Sequence, residues 1–196
     1  PDEYAGVIPD KEWKMKRYKQ PWYLGETVIA SIGQGYDLVT PLQMVRHTNL
    51  IATSKLVTPR IAKEVNGKEI NAGMVSVSFN PYYLSEIRKG MYEVCNTRKG
   101  TAFSTMGNLP VTVAGKTGTS QVTSIPQSTI KRLKEEELAY FHRSHAWITT
   151  YAPYENPQYI VTVLLEHGGH GGSTAGPIAA DIYKWLYANG YFKKKE

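Results

Sequence analysis

Apolar residues recur at helical spacing in three stretches of the chain and alternate with polar ones in several others. Leu84, Ile87, Met91, Val94 and Cys95 form one apolar stripe, which predicts a helix opened by Asn80 as N-cap and Pro81 as first residue. A second helix reads from Thr40 and Pro41 to about Thr53. Gln43 completes a capping box with Thr40, and Leu42, Val45 and Ala52 are expected inward. A third starts near Ser173 or Thr174, carries Pro177 in its first turn and ends at Asn189-Gly190. Ile178, Ile182, Trp185 and Leu186 are its expected core face.

Strand patterns fall between these helices. The β-branched alternation of Leu109-Pro110-Val111-Thr112 leads into Val113 to Gln121. Ala146 to Ala152 and Tyr159 to Glu166 read as an antiparallel pair, joined by the turn Pro153-Tyr154-Glu155-Asn156-Pro157. Val65-Asn66-Gly67-Lys68 is a hairpin signal. A long apolar helix after a sheet hairpin should pack on one face of that sheet.

Pro1 to Pro21 reads as irregular surface chain, its aromatics anchoring a loop while its lysines snorkel. Gly33-Gln34-Gly35 lacks the third glycine of a dinucleotide site and reads as a tight loop before a helix. Gln127 to Arg143 reads as a long loop or lid with a solvated helical part, where Lys131 and Glu135, and Arg132 and Glu136, are i,i+4 pairs. No repeat or long linker divides the chain.

Composition changes this picture little. The 196 residues suffice for one domain with a real core. No apolar run approaches a membrane span. The chain begins Pro1-Asp2-Glu3-Tyr4 without an initiator Met and is expected to be an excised piece. Cys95 is the only cysteine and sits on an apolar stripe, so it reads as a small core residue. The net charge of +6 invites a polyanion, but the basic residues are spread through the chain, and nucleic acid is set aside. His167-Gly168-Gly169-His170-Gly171-Gly172 reads as a flexible loop. No carboxylate or thiol at useful spacing joins its histidines, so no metal or cofactor is expected.

The candidate chemistry is Lys116-Thr117-Gly118-Thr119, on or at the end of a strand. Gly118 lets an extended ligand lie close, Thr117 and Thr119 offer hydroxyls, and Lys116 offers a cation. A strand edge can pair with a peptide, and an N–H near Thr119 could serve an oxyanion. Lys-Thr-Gly accompanies Ser-x-x-Lys and Ser-x-Asn in penicillin-binding proteins and serine β-lactamases.

The flanking segments sharpen this. Trp22-x-x-Gly25-Glu26-Thr27, Ile32-Gly33-Gln34-Gly35-Tyr36, Thr40-Pro41-Leu42-Gln43, Gly100-Thr101-Ala102, Ala114-Gly115-Lys116-Thr117-Gly118-Thr119, His145-Ala146-Trp147, Tyr151-Ala152-Pro153 and Gly168-Gly169 occur in that order. Together they resemble the C-terminal part of the transpeptidase domain of a class B penicillin-binding protein, nearest the elongation-specific branch. The resemblance covers essentially residues 1–196. It implies an α+β fold of the penicillin-binding protein and serine β-lactamase type: an antiparallel sheet flanked by helices, incomplete in this chain. It also implies a preceding part carrying a membrane anchor, a pedestal and the other two motifs.

Two partial matches to those motifs are set aside. Ser128-Thr129-Ile130-Lys131 follows Lys-Thr-Gly, whereas the family has Ser-x-x-Lys well before it, and Lys131 sits in a charged segment where it would stay solvated and cationic. In Ser78-Phe79-Asn80, Asn80 is better used as a helix cap. The nucleophilic serine is therefore expected outside this chain.

The resemblance implies covalent acyl transfer from the penultimate D-Ala of a peptidoglycan stem peptide, with penicillin acylating the same serine. In that scheme Lys116 supplies positive potential, Thr117 and Thr119 bind the donor's carboxylate, Gly118 gives close approach, and the Thr119 N–H forms half the oxyanion hole. Implied partners are stem peptides, β-lactams, the N-terminal remainder of the protein, and the elongation scaffold and glycosyltransferase. The implied location is the periplasmic face of a bacterial inner membrane. A serine β-lactamase, a penicillin-sensing receptor or docking module, and the division-specific paralogue remain as alternatives.

Overall fold

The computed structural model describes residues 4–71, 73–122 and 133–192. The chain divides into two compact units, Pro1–Gln43 and Met44–Glu196. No composition break marks this division, which falls inside a helix.

In the first unit, the segment expected to be irregular contains helix α1 (Lys11–Tyr18). Asp10 caps it, its Oδ1 accepting from Trp13 N–H at 2.6 Å. Helix α2 (Leu24–Ala30) follows. Trp13, Tyr18 and Tyr36 gather with ring centroids 5.2–5.7 Å apart, as anchoring aromatics should. Lys14 does not snorkel. It is 1% exposed, paired with Glu26 and placed over the Tyr23 ring at 4.5 Å. The local pattern could not show this, because the partner carboxylate comes from α2. Gly33 and Gly35 turn with φ of 71° and 80°.

Helix α3 (Pro41–Thr53) begins with the expected capping box. Thr40 N–H donates to Gln43 Oε1 at 2.9 Å, and Gln43 N–H to Thr40 Oγ1 at 3.2 Å. Its buried positions are Thr48 and Ala52, whereas Leu42, expected inward, is exposed.

Strand β1 (Lys55–Val57) pairs with β4 (Met74–Ser76), and between them β2 (Glu64–Val65) and β3 (Lys68–Glu69) close the expected hairpin. Asn66 and Gly67 take φ of 50° and 76°, the two left-handed positions of such a turn. Helix α4 (Pro81–Asn96) starts at Asn80, whose Oδ1 accepts from Tyr82 N–H at 3.0 Å. Met91 and Cys95 are buried and Leu84 is half-buried, while Ile87 of the same stripe is exposed. A short helix α5 (Phe103–Met106) follows.

The central sheet is antiparallel, in the order β5-β6-β7. Strand β5 is Ala114–Ser120, β6 is His145–Ala152 and β7 is Tyr159–Leu165. The strand expected from Leu109 starts only at Ala114, where residues of β6 become available as partners. The apolar residues before it serve packing instead: Leu109 and Val111 lie against the core and Val113 is inside it. Residues 133–143, expected to include a charged helix, form two 3₁₀ turns, Glu135–Glu137 and Tyr140–His142. Glu135 is engaged just before the start of the next strand. Its two oxygens accept from the N–H and hydroxyl of Ser144, each at 2.8 Å. Lys131 and Arg132 lie outside the described residues.

Helix α6 (Gly176–Ala188), preceded by a wide helical turn at Gly171–Ala175, covers one sheet face. Its inner face is Gly176, Ala179, Ala180 and Tyr183, with Leu186 partly buried beside it. The expected face of Ile178, Ile182 and Trp185 points outward, Trp185 being 55% exposed. Small residues let the helix axis approach the sheet closely, and Tyr183 gains a partner inside. Thr150 Oγ1 donates to Val161 C=O at 3.0 Å and lies 2.9 Å from Tyr183 OH. The other face carries Ala52, Met91, Ala114 and Tyr151. The fold is thus α+β with helices on both faces of an antiparallel sheet.

Candidate active site

The Lys-Thr-Gly-Thr segment lies within β5, the outer strand of the sheet among the described residues. Its buried end is Ala114-Gly115. A Cβ on Gly115 would come within 2.5 Å of Thr150 Cγ2 and 2.7 Å of Thr149 C=O, so glycine lets the two strands close here. Beyond Gly115 the strand emerges. Lys116 is exposed and Thr117, Gly118 and Thr119 are half-buried.

Strand alternation divides these side chains. Lys116 shares the face of Ala114, which packs with Tyr151 and Met91. Thr117 and Thr119 share the other face, opposite Ile148 and Ala146. The four consecutive residues therefore present a cation and two hydroxyls around a single edge. Lys116 Nζ donates back to Thr117 C=O at 2.6 Å, which holds its charge along the strand.

Two loops back this edge. In the first, Gly100-Thr101-Ala102 turns out of α4, with Gly100 N–H donating to Thr97 C=O at 2.8 Å and Ala102 N–H to Val94 C=O at 3.0 Å. Thr101 Oγ1 then lies 2.8 Å from Thr117 Oγ1. In the second, the glycine-rich segment read as flexible packs tightly. Gly171 sits against the carbonyls of Trp147 and Gly118, and Gly172 against the carbonyl of Thr101 and the methyl of Thr117. This loop is tied at its origin by His167 N–H donating to His145 Nδ1 at 2.9 Å, and by Gly169 N–H donating to Ser144 C=O at 2.8 Å. Ser144 is in turn the residue held by Glu135.

The structure thus sets Lys116, Thr117, Gly118 and Thr119 together on one edge. Asn80 is a helix cap, away from any such role. Ser128 and Lys131 lie outside the described residues. The contacts of Thr101, Gly171 and Gly172 with β5 were not anticipated. The only signal for the last two was the density of glycine in the loop, which reads equally as flexibility or as close packing. Cys95, at the centre of the core, has its thiol pushed up to about 12 by burial, as suits an inert packing residue.

Residues 1–184 match the penicillin binding protein transpeptidase domain. Among curated relatives, the peptidoglycan D,D-transpeptidase MrdA of Haemophilus influenzae is 36% identical over 188 residues, covering 92% of this chain and 29% of that protein. MrdA of Escherichia coli K12 is 35% identical over 179 residues, covering 87% and 28%. Among solved structures, a complex between penicillin-binding protein PBP2 and MreC from Helicobacter pylori matches with a TM-score of 0.81 at 43% identity, covering 98% of this chain and 33% of that one. Pseudomonas aeruginosa PBP2 in complex with WCK 5153 matches with a TM-score of 0.76 at 32% identity, covering 94% and 39%. The chain spans about a third of the length of the relatives it matches.

Proposed function

The chain belongs to the penicillin-binding protein transpeptidase domain family, and from that premise we propose that it forms the Lys-Thr-Gly wall of a peptidoglycan D,D-transpeptidase of the cell-elongation type. One observation carries the reading: among the described residues, Lys116 to Thr119 lie on the outer strand of the central sheet, with Lys116 exposed. The resemblance to MrdA and PBP2 proteins over nearly the whole chain supports the elongation branch. Nothing in the relatives named above favours a β-lactamase, a sensing receptor or the division-type paralogue.

The nucleophilic serine, its lysine and the Ser-x-Asn motif come from a segment preceding residue 1. The serine attacks the carbonyl carbon of the penultimate D-Ala of a stem peptide. Its proton passes to the lysine base, the tetrahedral oxyanion collapses, and terminal D-Ala departs with the proton. An amine of a neighbouring stem then displaces the serine from the acyl-enzyme. Lys116 draws the donor's carboxylate to the cleft, and the Thr117 and Thr119 hydroxyls donate to it. The N–H of Thr119 binds the oxyanion together with the serine's own N–H; removing one such donor costs about 3–4 kcal/mol of barrier. Gly118 admits the extended peptide alongside β5.

The intact protein works at the periplasmic face of a bacterial inner membrane, with a glycosyltransferase and an elongation scaffold as partners. The solved PBP2–MreC complex supports the latter. The test is acylation of the full-length protein by a labelled penicillin. The unaltered protein takes the label covalently, Lys116→Ala labels far more slowly or not at all, and the 196-residue chain alone takes none. Wild-type labelling of Lys116→Ala would remove that residue from the site, and covalent label at Ser128 would place the nucleophile in this chain.

A further inference from the structure

The contact between Thr101 and Thr117 bears directly on that site, and the inference from it rests on the transpeptidase reading above. A threonine hydroxyl has one proton and can accept two hydrogen bonds. If the Thr117 proton were given to Thr101, Thr117 would turn only lone pairs toward an approaching carboxylate, which is repulsive. If Thr101 gives its proton to Thr117, the Thr117 proton is free for the ligand. The two arrangements share the same 2.8 Å oxygen separation.

We propose that Thr101 is a positioning residue whose hydroxyl donates to Thr117 Oγ1, so that Thr117 in turn donates to the carboxylate of the bound donor. The chain Thr101 O–H to Thr117 O–H to carboxylate polarises each link toward the anion.

The surroundings fix Thr101 for this task. Gly100 has no room for a side chain, because a Cβ there would run into the carbonyls of Glu93 and Val94 at the end of α4. Ala102, on the other side, is fully buried. The Thr101 carbonyl is covered by Gly172, and a Cβ on Gly172 would also stand 3.6 Å from the Thr117 methyl. The backbone of Thr101 is therefore held from both flanks and from above, while its own side chain stays exposed at the edge. An exposed hydroxyl with a rigidly placed backbone, aimed at a half-buried hydroxyl of the motif, has no packing duty that a valine could not perform.

The test uses the full-length protein and second-order acylation rates with a labelled penicillin. Thr101→Val keeps the shape and removes the hydroxyl; Thr101→Ser restores it. Thr101→Val is expected to slow acylation about fivefold, the fold-change matching the net worth of one hydrogen bond. Thr101→Ser should stay near wild type, with both melting near the wild-type temperature. In a Thr117→Val background the further change Thr101→Val should have no effect, because the residue it acts through is gone. A readout that packing would not move is the carboxylate itself: with a penicillin methyl ester, Thr101→Val and wild type should react at equal rates.

Wild-type rates for Thr101→Val with the free acid would overturn the proposal. So would equal losses in the Ser and Val variants, or a loss that persists in the Thr117→Val background or with the ester. Failure of the unaltered protein to take any label would overturn the transpeptidase reading itself and this inference with it, an outcome distinct from the others because no variant is needed to see it.

Discussion

Gly171 packs against the carbonyl oxygen of Trp147, closer than any Cβ could approach, and a side chain on Gly171 would also begin 2.6 Å from the carbonyl oxygen of Gly118. The glycine-rich loop after β7 is thereby pressed onto the strand that carries the candidate site. Gly171→Ala must push backbone rather than a flexible side chain. Overpacking of this kind costs about 1–3 kcal/mol. The variant should melt lower than wild type and acylate more slowly with labelled penicillin, since the displaced atoms include the Gly118 carbonyl between Thr117 and Thr119. Thermal melting and acylation rates measured together check both halves.

Gly90 is expected to respond in the opposite direction. It lies within α4, exposed, with helical neighbours and open space for 4 Å around the position a Cβ would take. Alanine there removes the conformational freedom of glycine from the unfolded chain and should stabilise by about 0.5–1 kcal/mol. A denaturant or thermal melt of Gly90→Ala against wild type checks the sign.

Acid should weaken the first unit through Glu26. The hydrogen bond from the Lys14 ammonium, then the N–H of Tyr23, holds this carboxyl below its ordinary value of 4.5, with burial opposing. A depressed carboxyl contributes stability that is present above 4.5 and lost as pH falls through the depressed value. Glu26→Gln should therefore lower stability at neutral pH and flatten its decline below 4.5. Melting temperatures of both proteins across that range decide it; parallel curves would show that Glu26 carries none of the acid dependence.

Cys95 offers a reporter of global opening. Burial raises its thiol from 9.0 to about 12, so folding favours the protonated form. The raised group contributes stability that is complete below 9.0 and is lost as pH climbs toward about 12. Iodoacetamide reacts with the thiolate, and at pH near 8 the folded protein should alkylate slower than the unfolded chain by roughly two orders of magnitude or more. Mass spectrometry after timed alkylation, with and without denaturant, measures the ratio.

Much of this protein could be read locally. Thr40 with Gln43, Asn80 with Pro81, and Asn66-Gly67 each satisfy backbone groups or allow turn angles through residues a few positions away. Their geometry in the structure follows those letters. The strands β6 and β7 and their turn were legible for the same reason, since alternation and a Pro-bounded turn are short-range. The order of the flanking segments around Lys116 is itself a mark of the family.

What escaped such reading depends on partners distant in the chain. Lys14 is buried because Glu26 waits on the next helix. β5 begins at Ala114 rather than Leu109 because a strand exists only where another strand pairs with it. α6 turns Ala179, Ala180 and Tyr183 inward, leaving Ile178, Ile182 and Trp185 outside, because close approach to the sheet and a hydroxyl partner at Thr150 outweigh the larger apolar area of the other face. The same holds at the candidate site. Residue type identified Lys116, Thr117, Gly118 and Thr119. Only packing between α4, β5 and the loop before α6 brought Thr101, Gly171 and Gly172 against them, since contacts between residues so far apart in the chain leave no periodic trace in the letters themselves.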